Sequence, residues 1–189
     1  MRVSTMLCCF LSLNHSIPSM ALAASDRYEF LKGSQWYVPT ATLPAISVDP
    51  STAAVTPLID QTVWNITGYQ SGYFTGVSIA LFQSPTTGTA KFPVSCTDMV
   101  GSVTPSGVVL ISFFNPSDPN AAANATIGTG TLAKEANGVW RFTMQMTTGS
   151  RSVIAHWSYM NQCKKGEACV GKLPGADLSL QSFIAQCQG

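Results

Sequence analysis

The sequence predicts an all-β fold: an antiparallel meander closing into a small β-barrel with one short C-terminal helix, or, from the same alternation, a two-sheet β-sandwich. Three observations point there. Charged residues make up only 10% of the 189 residues while hydrophobic ones make up 46%, against about 25% charged in an ordinary soluble domain. Long solvated helices need Glu and Lys on their outer faces, so this composition disfavours them. Short segments of alternating apolar and polar residues recur from residue 61 onward, separated by Gly- and Pro-bearing turns. No stretch between them is long enough for the crossover helices that a parallel sheet requires.

Three segments follow in order: a signal peptide at 1–24, an extended proline-rich arm at 25–60, and a barrel domain with its terminal helix at 61–189. Arg2, the apolar run at 6–13 and the small residues Ala21-Leu22-Ala23 read as a secretory leader, although Asn14-His15-Ser16 and Pro18 interrupt it. In the second segment Pro39, Pro44, Pro50 and Pro57 forbid a helix and interrupt a sheet ladder, which predicts an arm lying along the domain.

The barrel segment opens with Thr62-Val63-Trp64-Asn65-Ile66-Thr67, which alternates up to Gly68, and continues in the aromatic and β-branched run at 72–82. A hairpin follows, with Pro105-Ser106-Gly107 as its turn. A second turns at Asn137-Gly138, where both residues tolerate positive φ. Trp140, Phe142, Met144 and Met146 share one face of the next strand. On the last strand Val153, Ala155, Trp157 and Tyr159 form an apolar face opposite Ile154, His156 and Ser158. Leu178, Leu180, Phe183, Ile184 and Cys187 approach helical spacing, with Asp177 as the expected N-cap.

Of six cysteines, Cys8 and Cys9 fall in the leader and leave Cys96, Cys163, Cys169 and Cys187. Two disulfides are expected in an exported chain, with a local bridge Cys163–Cys169 favoured and Cys96 then joined to Cys187. Zinc is the competing reading, but there is no CxxC pair and His156 is the one histidine beyond the leader, so no metal site is expected. The segment from Gly166 to Lys172 imitates a phosphate-binding loop until Leu173 and Pro174, which supply no magnesium ligand and oppose the helix. No cofactor is expected. Lys164-Lys165 is the one basic pair, which argues against nucleic acid, and no segment reaches the ~18 apolar residues of a membrane helix. Asn65-Ile66-Thr67 and Asn124-Ala125-Thr126 are glycosylation sequons in a host that glycosylates.

Trp64, the segment Gly68-Tyr69…Gly72-Tyr73-Phe74…Gly76 and the hairpins at Gly107 and Gly138 resemble, over about residues 60–160, the layout of calycin-type barrels, the avidin and lipocalin group. The resemblance implies a small apolar or amphipathic ligand in the barrel mouth. Aromatics beside Gly-rich or polar positions make Trp64, Tyr69, Tyr73, His156 and Trp157 the candidate ligand contacts. The first functional expectation is therefore a secreted or periplasmic binding barrel, without catalytic residues, for a small molecule or an envelope component. The second is a protein–protein interaction module, an inhibitor or envelope-complex subunit, whose proline-rich arm adds to a partner's sheet edge. Third comes a hydrolase centred on His156 with Asp60, Asp98 or Asp177 as orienting carboxylate, although no GxSxG elbow accompanies it.

Overall fold

The computed structural model describes residues 26–49, 51–85, 94–121, 124–148, 153–164 and 167–187, with the backbone alone at 26, 148 and 153–158. The expected leader, with Cys8 and Cys9, lies outside these residues. A 3-10 helix (Asp26–Leu31) precedes nine strands: β1 (Ser34–Tyr37), β2 (Leu43–Val48), β3 (Val55–Gln70), β4 (Tyr73–Gln83), β5 (Ser95–Val103), β6 (Val108–Phe114), β7 (Thr126–Lys134), β8 (Trp140–Thr148) and β9 (Val153–Cys163). Two short helices follow, α1 (Ala168–Gly171) and α2 (Leu180–Ala185).

All pairings are antiparallel, and β3 pairs with β4 as well as with β1 and β2, so the sheet closes on itself. β1 and β2 each lie between β3 and β9, one above the other, and together fill one position of an eight-position barrel. The barrel, not the sandwich, is the fold. The proline-rich stretch is accordingly no arm beside the domain: β1, β2 and the start of β3 are part of its wall. Two of its prolines are tolerated because each has a ladder neighbour on one side only. β9 begins to pair with β2 at Ala45, one residue beyond Pro44, and β4 begins to pair with β3 at Ile59, two residues beyond Pro57.

Turn chemistry sets the register. Ser71 and Gly72, both at positive φ (50° and 85°), join β3 to β4 in a two-residue hairpin. β3 itself runs past the expected stop at Gly68 to Gln70, with an irregularity between Ile66 and Gly68. At the Asn137-Gly138 turn only Gly138 has positive φ (83°), while Asn137 Oδ1 accepts a hydrogen bond from Val139 N at 3.0 Å. Asparagine contributes here through its side chain rather than through a left-handed backbone.

The barrel interior is an aromatic and methionine core. Trp36, Trp64, Phe74, Met99, Ile111, Phe142, Met144 and Met160 are all at most 1% exposed. Phe142 stands at its centre, its ring 4.5 Å from that of Trp36 and 5.3 Å from that of Trp64. On β9 the exposed residue is Tyr159, at 39%, and the buried one is Met160, which pairs with Phe142. Tyr159 thus belongs to the outer wall and not to the core face that the alternation assigned to it.

A second cluster lies outside the barrel. Val63, Ile79 and Leu81, on the outer faces of β3 and β4, are covered by Leu173, Ala176, Leu180, Phe183 and Ile184 of the C-terminal tail. Cys96–Cys187 fastens this tail to β5, and Cys163–Cys169 ties α1 to the end of β9. The N-cap of α2 is Ser179, whose hydroxyl accepts from Ser182 N at 3.1 Å, and not Asp177. Asp177 is instead ion-paired with Lys172 on the surface.

Candidate functional site

The two ends of the barrel differ. At one end lie the turns at Gly72, Gly107 and Gly138, and the 3-10 helix closes it from below. Tyr28 (1% exposed) and Leu31 (0%) enter the core, with Tyr28 edge-on to Trp140 at 6.0 Å and Phe30 stacked on Trp140 at 4.8 Å. The Arg27 guanidinium covers the Tyr28 ring at 5.4 Å. Ser34 completes the plug, donating to Leu31 O at 2.6 Å and accepting from the Trp36 indole at 2.7 Å.

The other end carries the 49–54 turn and the connections between β4 and β5, β6 and β7, and β8 and β9. Inward positions there remain open to solvent: Ala80, Phe82, Thr97 and Thr126 are partly exposed although they pair with buried or inward residues. Three of the four, Ala80, Thr97 and Thr126, are small, in contrast with the Trp, Phe and Met of the plugged half. Here also sit Asp60, Thr62 and Ser78, at 0%, 2% and 6% exposure. With Ser34 spent in the plug and Gln61 turned outward to the tail, these are the remaining buried polar side chains among the described residues. Thr62 Oγ1 donates to Asp60 Oδ1 at 2.7 Å. At the rim, hydrogen bonds from the Ser51 hydroxyl and backbone hold the Asp49 carboxyl below its usual range.

Asp60 and Thr62 alternate with Gln61 and Val63 on β3, so the period of two that buries Trp64 inside also carries these two polar groups inside. Sequence reasoning missed this trio as a site. The signal available was the column Asp60, Thr62, Trp64 on one face of a strand already read as alternating.

Trp64 is fully buried between Phe113 (5.5 Å) and Phe142 (5.3 Å) and lies at the boundary between the two halves. Its indole N–H has no hydrogen-bond partner among the described residues. Tyr69 and Tyr73 are elsewhere, on a groove of about 350 Å³ at the plugged end with Lys32, Gly68, Gln70 and Thr75. His156 pairs in register with Ala45 and Met146, and Trp157 with Gln145, which places their backbone in the open half. The five candidate contacts are therefore not gathered at one place. No group of three or more potential metal-ligating side chains occurs among the described residues.

Comparison of the chain with protein-family models, with curated proteins and with solved structures returns no match.

Proposed function

We propose that this chain is an exported binding protein of calycin-like design that takes a small apolar or amphipathic molecule into the open half of its barrel. One observation carries the reading: a single barrel is plugged and aromatic at one end, yet at the other the inward Ala80, Phe82, Thr97 and Thr126 are partly solvent-reached and set around buried Asp60, Thr62 and Ser78. A structural core alone has no use for that asymmetry, whereas ligand sites combine an apolar wall with a few polar groups. Two disulfides suit an oxidising compartment, which supports a secreted or periplasmic location. The rival reading as an interaction module took its motive from a free proline-rich arm, and that segment is hydrogen-bonded into the wall.

The test is native mass spectrometry of protein exported by its own leader, beside its denatured mass, for the wild type and for Thr62→Trp. Expected are a cleaved chain lacking four thiol hydrogens and an adduct that is lost on denaturation and absent from the filled variant. An adduct that persists in Thr62→Trp places binding outside the barrel mouth and overturns the reading.

A further inference from the structure

Two tryptophans face each other across β1 and β3, Trp36 opposite Trp64, and both are fully buried. The chain satisfies one of them: the Trp36 indole donates to Ser34 Oγ at 2.7 Å. Trp64 Nε1 has no such acceptor among the described residues. A buried N–H without a partner carries a cost comparable to a lost hydrogen bond, and native proteins hold few of them. Sequence offers no reason for the difference within the plug, because Ser34 serves Trp36 from two residues away. The position of Trp64 does offer one. Its ladder neighbour on β4 is Ser78, and two residues back along its own strand stands Thr62, so it forms the floor of the open half.

We infer that the Trp64 indole N–H is the ligand-reading donor of this barrel, and that the ligand class is an uncharged molecule with an apolar body and an acceptor oxygen, such as a carbonyl or ether. The inference rests on the binding reading above and adds the chemistry that site recognises. The aromatic floor of Trp64, Phe113 and Phe142 receives the apolar body, and the N–H receives the oxygen. An anionic head is disfavoured, because the Trp64 N–H is an uncharged donor in an aromatic surround, where a full charge loses its hydration.

The experiment uses the full oxidised chain and a matched pair of fluorescent naphthalenes. One is 6-propionyl-2-dimethylaminonaphthalene, which carries a ketone oxygen; the other is the 6-propyl analogue, which lacks it. The ketone is expected to bind the wild type about three- to ten-fold more tightly than the propyl analogue, the range of one neutral hydrogen bond. Trp64→Phe keeps an aromatic floor and removes the N–H, so it should abolish that preference, while the smaller ring by itself lowers the melting temperature by opening a cavity. Equal affinity for both probes in the wild type, both blocked by Thr62→Trp, overturns the inference and leaves the binding reading standing. No binding of either probe, or binding indifferent to Thr62→Trp, overturns the reading itself. A ketone preference that survives in Trp64→Phe shows that another group reads the oxygen and overturns the inference by a second route.

Discussion

The Phe74 ring lies directly over the Cα of Gly101, its ladder partner on β5, so closely that a Cβ on Gly101 would collide with the ring. The same device recurs across the barrel, where Gly128 leaves room for Met146 and Gly130 for Met144. Inward glycines let a barrel of eight positions accept Trp, Phe and Met from the facing strands without a void or a clash.

Gly101→Ala should therefore act as overpacking, costing about 1–3 kcal/mol. For a chain of this size that corresponds to a fall in Tm of roughly 2–12 °C. Combining it with Phe74→Leu should cost less than the sum of the two single changes, because the shorter side chain vacates the space. Thermal unfolding of the four proteins of this cycle checks the sign of the coupling. Strict additivity would show that the two residues do not share that space.

The two disulfides should differ in worth according to the loops they close. Cys96–Cys187 spans 91 residues and Cys163–Cys169 spans 6. Chain-entropy arguments give about 4–5 kcal/mol for the long loop and about 2 kcal/mol for the short one at 25 °C. Denaturant unfolding of Cys96→Ser/Cys187→Ser and of Cys163→Ser/Cys169→Ser should reproduce that order. Equal losses would mean that native contacts at the two bridges, not loop closure, set their contributions.

How much of this was legible in the sequence follows from the range of each interaction. The hairpins at Gly107 and Gly138 and the inward face of Phe142, Met144 and Met146 depend on neighbours a few residues apart, and the alternation displays them. The wall position filled by β1 and β2 was not visible. Pro44 and Pro57 argue against a strand unless one knows that β9 and β4 stop short of them. Nor was the burial of β3 on both faces visible, since Gln61 and Val63 lose their exposure to a tail more than a hundred residues away. The polar column of Asp60 and Thr62 was written plainly in the alternation. It lacked meaning until closure showed that this face points into the barrel.

Alkaline conditions should weaken the fold through Tyr37. Burial pushes the Tyr37 phenol above its ordinary value, and the Glu167 carboxylate pushes it further. Its folded pKa is raised, so its contribution is complete below the unfolded value near 10 and is lost as pH rises through the folded one. Tyr37→Phe should flatten the decline in stability above about pH 10, and Glu167→Gln should flatten it in part. Unfolding midpoints at pH 8 to 11 test this, and a decline of unchanged steepness in Tyr37→Phe would assign it to other groups.

The clasp between barrel and tail turns on Gln61, a fully buried side chain on the outer face of β3. Its Oε1 accepts from Gly175 N at 2.6 Å and its Nε2 donates to Val38 O at 3.1 Å, so one amide joins the tail to the segment that follows β1. Gln61→Met keeps the length and strands both backbone groups, for a cost of about 2–4 kcal/mol. Gly175→Ala reaches the same bond from the other side, since a Cβ there would stand 2.7 Å from Gln61 Oε1. Either change should speed amide exchange through the tail and α2 while exchange in β6–β8 stays slow, because the amide's partners are Gly175 of the tail and Val38 after β1, neither of which lies on β6–β8. With Cys96–Cys187 intact the tail remains tethered, so the fold should persist. Adding Cys96→Ser/Cys187→Ser should cost more than the two losses added together, because each fastening limits how far the other can open. If Gln61→Met leaves tail exchange unchanged, the apolar contacts of Leu180, Phe183 and Ile184 hold the tail without the amide.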